Sequence, residues 1–221
     1  MRPGPDKVCE CPKFKGPARV FTLLSGNTLG AEVWTDGKMI APMLPTPPEI
    51  TRCQHCGHYY WISDAKVVGY LGYLHDDETL KVPSAWKTAE RVRELTEAEY
   101  LEAIRLGAAD NGEKELRLRI WAWWSSNDPL RTKSQRPINR TNSVFIRSPE
   151  AIMNMERLLE LLDIKELNQR LKKAELLREL GRFDDAINLL DHPFPRKYKT
   201  IVALVRRLAQ EEDFIVRKIP D

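Results

Sequence analysis

The chain has 221 residues, 42% of them hydrophobic and 30% charged, a balance that supports one sizeable core or two smaller ones and excludes disorder by composition. Lys and Arg number 35 against 32 Asp and Glu, so the net charge of +3 rules out a global polyelectrolyte, and any basic binding site has to be local. No stretch approaches the ~18 uninterrupted apolar residues of a membrane span, and Met1 to Lys15 is too polar and proline-rich for a signal peptide, so a soluble, cytoplasmic protein with no membrane contact is expected.

Of 26 glycines and prolines, 14 fall in the first 60 positions, where turns such as Ser25-Gly26-Asn27 and Asp36-Gly37 separate short apolar runs. This half is therefore expected to be small and β-rich. Strands are predicted over 19–24, 32–35, 38–41 and 59–62, the middle two joined by the Asp-Gly turn that a tight hairpin prefers. Pro42, Pro45, Pro47 and Pro48 remove backbone donors and favour an extended connection. All four cysteines, Cys9, Cys11, Cys53 and Cys56, belong to this segment.

Two residues separate the thiols of Cys53-Gln54-His55-Cys56-Gly57, which lets both sulfurs reach one ion, and the glycine permits the turn beneath it. Cys9-Glu10-Cys11 supplies a second close pair. Two pairs from distant points match a tetrahedral four-thiolate site with Zn–S bonds of ~2.3 Å. In a reducing compartment bound metal is favoured over disulfides, with disulfides, free thiols or a redox role as the alternatives. Structural Zn2+ on Cys9, Cys11, Cys53 and Cys56 is the expectation.

From about Val82 the pattern turns helical. Thr96 with Glu99 forms a capping box, and Leu95 with Tyr100 has the spacing of a hydrophobic staple. Leu116, Ile120, Trp123 and Trp124 recur at i, i+4, i+7 and i+8, which puts the Trp121-Ala122-Trp123-Trp124 run on an amphipathic helix with core packing as its role. Ser148-Pro149-Glu150 opens a further helix, with Ile152, Met155, Leu159 and Leu162 as its core face. Asp163 with Glu166 reads as a fresh cap, followed by Leu167, Leu171, Ala174 and Leu177 on one face, with Gly181 as the stop. The fold class that follows is α+β: a small β-rich module over 1–82, then an all-α domain over 83–221.

Two segments resemble known families. The run Ala174 to Leu190 is similar to the middle of a tetratricopeptide repeat, which needs a small residue where its helices touch, a tight turn, an aromatic after it and a second small residue on the return helix; Ala174, Gly181, Phe183 and Ala186 stand there. Ile201, Leu204, Val205 and Leu208 continue with another amphipathic helix, but no second copy recurs at the repeat's ~34-residue period, so the expectation is one TPR-like hairpin at about 166–191. The family usually binds protein segments, whereas one hairpin alone can simply pack, and both remain open. The cysteine region resembles a zinc ribbon, and more loosely the ribbon-bearing segments of uncharacterised bacterial proteins. The ribbon's first knuckle is Cys-Pro-x-Cys, and here Cys11-Pro12-Lys13 is followed by Phe14, so Cys9 is expected to take over that ligand position, with His55 or His58 as the substitute if Cys9 cannot reach. The 41 residues between Cys11 and Cys53 exceed a compact ribbon's spacer, consistent with the inserted hairpin and proline connection.

No catalytic constellation is found. Nucleobase deaminases place His or Cys two residues before Glu and then Pro-Cys-x-x-Cys; here Glu10 adjoins Cys9 and Arg52 replaces the proline. His-Glu-x-x-His, a phosphate-cradling loop, Gly-x-Ser-x-Gly and a dinucleotide fingerprint are missing. The functional expectation is a protein-binding or scaffold protein containing structural zinc, not an enzyme, with a protein partner. The alternative is a nucleic-acid-binding zinc-ribbon protein using the acid-free basic segments 131–147, with Arg131, Lys133, Arg136 and Arg140, and 196–207.

Overall fold

The computed structural model describes residues 1–72, 82–131 and 147–220. Nine short strands occur among them: β1 Arg2–Pro3, β2 Asp6–Glu10, β3 Pro17–Val20, β4 Leu23–Ser25, β5 Glu32–Val33, β6 Met39–Ile40, β7 Ile50–Arg52, β8 Tyr59–Trp61 and β9 Lys66–Leu71. Seven α-helices follow: α1 Ser84–Thr88, α2 Glu97–Arg105, α3 Gly112–Arg131, α4 Pro149–Leu161, α5 Leu167–Glu179, α6 Phe183–Asp191 and α7 Lys199–Gln210. Strands first and helices after make the fold α+β, as the composition shift along the sequence indicates. No helix among the described residues is long and apolar enough to cross a membrane. The chain divides into two units, one of residues 1–31 and 40–95, the other of residues 32–39 and 96–221. The helical pattern that begins near Val82 thus includes α1, which belongs to the first unit, and the Asp36-Gly37 hairpin belongs to the second.

The first unit is organised by β2, which lies between β3 and β9 in an antiparallel three-stranded sheet. Neither β2 nor β9 is among the predicted strands. Asp6-Lys7-Val8-Cys9-Glu10 has one β-branched residue and lacks alternation, because a register shift between Val8 and Cys9 turns two successive side chains inward. Buried Asp6 is held by Arg91 at 2.9 Å and lies 4.0 Å from Arg19. The segment after α1 runs beside β3, Arg19 N–H donating to Glu90 O and Val92 N–H to Arg19 O. Gly69 of β9 is required for close approach, since a Cβ there would stand 2.3 Å from the Trp86 ring. A second hairpin, β7 with β8, pairs Ile50 with Trp61 and Arg52 with Tyr59.

In the second unit the Asp36-Gly37 turn forms as predicted. Gly37 takes φ +82°, and Trp34 N–H donates to Lys38 O. The chain's last residues run beside this hairpin, with Thr35 N–H donating to Arg217 O and Ile219 N–H to Val33 O. The Thr96 capping box is present, Thr96 accepting from Glu99 N–H while Glu99 accepts from Thr96 N–H. Ser148 caps α4 and Pro149 opens it. The core gathers Trp123, Met155, Leu158, Leu159, Leu162, Leu176 and Leu177, with Leu116, Ile120 and Trp124 packed against it. Ile152, expected on the core face of α4, is instead exposed, and Leu158 takes the inward position. The cap of α5 is Glu166, which accepts from Gln169 N–H, while Asp163 closes the preceding turn onto Lys165 N–H. Helices α5 and α6 form a hairpin around the Gly181 turn at φ +77°, with Ala174 and Ala186 both fully buried.

The last two turns of α5 bury charge where a purely apolar face would be simplest. Arg178 pairs with Glu175 at 2.6 Å and donates to the carbonyls of Asp213 and Ile215. Glu179 accepts from Arg147, Asn127 and Trp123 Nε1, and burial lifts its carboxyl to about 7 against the opposing pull of Arg147. Asp36, fully buried, accepts from Asn127 at 3.0 Å and from Arg131 at 2.5 Å. Such a network fixes one arrangement of the helices because each member left unpaired is costly in a low-dielectric interior.

Candidate metal centre

Each hairpin of the first unit is closed by a cysteine turn. Cys11 to Gly16 joins β2 to β3, and Cys53 to His58 joins β7 to β8. In the second turn Gly57 N–H donates to Cys53 O, Cys53 N–H donates to His58 O, and the backbone N–H groups of Cys56 and His55 point at the Cys53 sulfur. Gly57 holds φ +69°, where a side chain is strained. The first turn repeats this pattern: Lys15 N–H donates to Cys11 O, Cys11 N–H to Gly16 O, and Phe14 N–H to Cys11 Sγ at 3.3 Å. Lys15 takes φ +63° at the position equivalent to Gly57.

These turns bring Cys11, Cys53 and Cys56 together, all three sulfurs lying within 4.8 Å of one another. The Cys11 and Cys56 sulfurs are 3.8 Å apart. Two sulfurs on a tetrahedral ion with bonds of ~2.3 Å stand ~3.8 Å apart, so this pair already has the span that zinc requires. Backbone N–H groups aimed at the sulfurs stabilise the thiolate, the form that ligates metal. Burial pushes the Cys53 thiol up, with the N–H groups of Cys56 and His55 opposing, whereas the His58 N–H holds the exposed Cys56 below the ordinary thiol range. The donor set fits zinc or another thiophilic ion.

Cys9 is not in this set. It sits in β2, paired with Ala18 on one side and Val67 on the other, and is fully buried. Two residues before Cys11 on an extended strand, it shares that residue's face and packs in the core cluster with Cys11, Cys53, Val20, Tyr60, Ile62 and Ala65. Burial raises its thiol, with Lys7 opposing. The two candidate substitutes, His55 and His58, also lie outside the sulfur cluster, His55 stacked on Phe14 at 4.5 Å between ring centroids and His58 beside Tyr60 at 6.5 Å. Beside the centre lies a cavity of about 330 Å³ with Cys11 and Cys53 in its wall, together with Thr51, Arg52, Tyr60 and Val92. Tyr60, buried among the thiols, has its phenol pushed up by desolvation and by their negative charge.

The basic residues singled out in the sequence are placed differently. Arg131 is buried, its guanidinium bound to Asp36 and to Asp128 and lying 5.1 Å from the Trp34 ring. Lys133, Arg136 and Arg140 lie outside the described residues. Arg147 bonds Glu179 at 2.5 Å. In the second basic segment Arg206 pairs with Asp191 at 2.7 Å. No protein-family model, curated protein or solved structure matches the chain.

Proposed function

We propose that this chain is a zinc-binding protein in which the ion is structural, fastening the two cysteine turns, and in which the helical domain serves protein binding or scaffolding, with no catalysis. The observation that carries it is the convergence of Cys11, Cys53 and Cys56 from two turns of like geometry, with one sulfur pair at the span of a tetrahedral ion. Zinc bound in the folded state and not in the unfolded one adds its binding free energy to stability, which a unit of short strands needs. The protein-partner reading draws on the α5–α6 hairpin and its TPR-like small residues. The nucleic-acid reading draws less, since Arg131 is engaged by two carboxylates inside the protein.

Hydrogen exchange on the full chain, with and without a strong zinc chelator, tests the structural role. Chelation is expected to speed exchange across 50–62 while leaving 149–162 unchanged. Unchanged exchange across 50–62 after verified zinc removal would overturn it.

A further inference from the structure

The two cysteine turns match bond for bond. In each, the first residue's carbonyl accepts from the N–H four residues on, its N–H donates to the carbonyl five residues on, and its sulfur faces the N–H three residues on. The residue three on is Cys56 in one turn and Phe14 in the other. In the Cys53 turn both the first and the fourth residue contribute a sulfur to the cluster; in the Cys11 turn the fourth position carries a benzyl ring. That ring is half-exposed, stacked on His55, and within 3 Å of where a Cβ on Gly16 would stand. Cys9, the remaining thiol, sits in β2 between β3 and β9, and its sulfur lies outside the three-sulfur group.

We propose that the zinc centre has three protein thiolates and an exchangeable fourth position at the vertex lost to Phe14, and that this position takes a small exogenous thiolate in place of water. This rests on the zinc reading above and deepens it. Tetrahedral zinc with three protein ligands keeps a fourth place for water or an added ligand. A soft thiolate is the donor for which the turn is built, since the equivalent vertex of the other turn is a cysteine. The cluster is open to a small molecule: Cys56 is exposed, and Cys11 and Cys53 line a cavity of about 330 Å³. On binding, a thiol gives its proton to solvent, its sulfur bonds to zinc, and the zinc–water bond breaks, with no change of oxidation state.

Cobalt substitution of the full-length protein reads the ligand set, with 2-mercaptoethanol as the probe. The wild-type spectrum is expected to show three thiolates and one oxygen donor, and to convert to a four-thiolate spectrum on titration with the probe. Phe14→Cys is expected to show four thiolates at once and to ignore the probe. Cys9→Ala is expected to match wild type. A wild-type spectrum with four thiolates before the probe is added, losing one in Cys9→Ala, would overturn the open position and leave the zinc reading standing. A three-thiolate spectrum that does not respond to the probe would also overturn the proposal. Failure of wild type to bind cobalt or zinc would instead overturn the zinc reading itself.

Discussion

Replacing Asp36 by Ala tests the buried network of the second unit. The carboxylate accepts from Arg131 Nη2 at 2.5 Å, from Asn127 Nδ2 at 3.0 Å and from Lys38 N–H at 3.0 Å, and the Arg131 side chain is only 4% exposed. Ala removes these contacts together with a fourth, from Arg131 Nη1 at 3.3 Å, and leaves the guanidinium paired with Asp128. Breaking a buried pair from one side costs ~3–5 kcal/mol, mostly from stranding the other charge. Urea unfolding followed by tryptophan emission is the assay, because Trp34, Trp121, Trp123 and Trp124 all lie in this unit. Adding Arg131→Met to Asp36→Ala removes the buried guanidinium that has lost Asp36 and is expected to recover part of the loss. A loss below ~1 kcal/mol, the worth of an exposed pair, would refute the reasoning, as would a double variant less stable than Asp36→Ala alone.

Lys15 holds the left-handed conformation where the other turn has Gly57, so Lys15→Gly is expected to stabilise the zinc-loaded protein by ~1 kcal/mol, seen as a higher melting temperature; a lower one would contradict the equivalence of the turns. Gly69→Ala drives a methyl into the Trp86 ring and is expected to cost ~1–3 kcal/mol in thermal or urea unfolding, where an unchanged midpoint would show the contact to be dispensable. Burial raises Glu179 to about 7 from an unfolded value of ~4.3. Its contribution is therefore fully present below ~4.3 and lost as pH rises through about 7, and Glu179→Gln is expected to flatten that part of the stability profile, an identical slope in the variant being the contrary result.

Local signals were the legible ones. The capping box at Thr96, the Ser148-Pro149 start, the Gly181 stop and the Asp36-Gly37 turn each depend on a few neighbouring side chains, and the chain folds there as its sequence indicates. What stayed hidden depends on long-range partners. Strand β2 owes its place to pairing on both edges and to a bulge, neither visible in Asp6 to Glu10 as a string. Arg131 reads as a phosphate contact until Asp36, 95 residues away, is seen to face it. The burial of Glu175, Arg178 and Glu179 beside Ala174 and Leu177 was not read from the sequence, because partners of Arg178 and Glu179 lie far away in the chain. At the candidate metal centre the Cys53-x-x-Cys56 spacing marked both sulfurs that one turn brings to the cluster. The Cys9-x-Cys11 pair was misleading by proximity, since residues two apart on a strand share a face but only the one at the turn reaches the cluster.

Native mass spectrometry of the full-length chain, purified with its zinc, counts the ions held by Cys11, Cys53 and Cys56. One zinc ion per wild-type chain is expected, and none on Cys53→Ser or Cys56→Ser. A wild-type chain without zinc, or a full zinc complement on either variant, would contradict the proposed zinc centre.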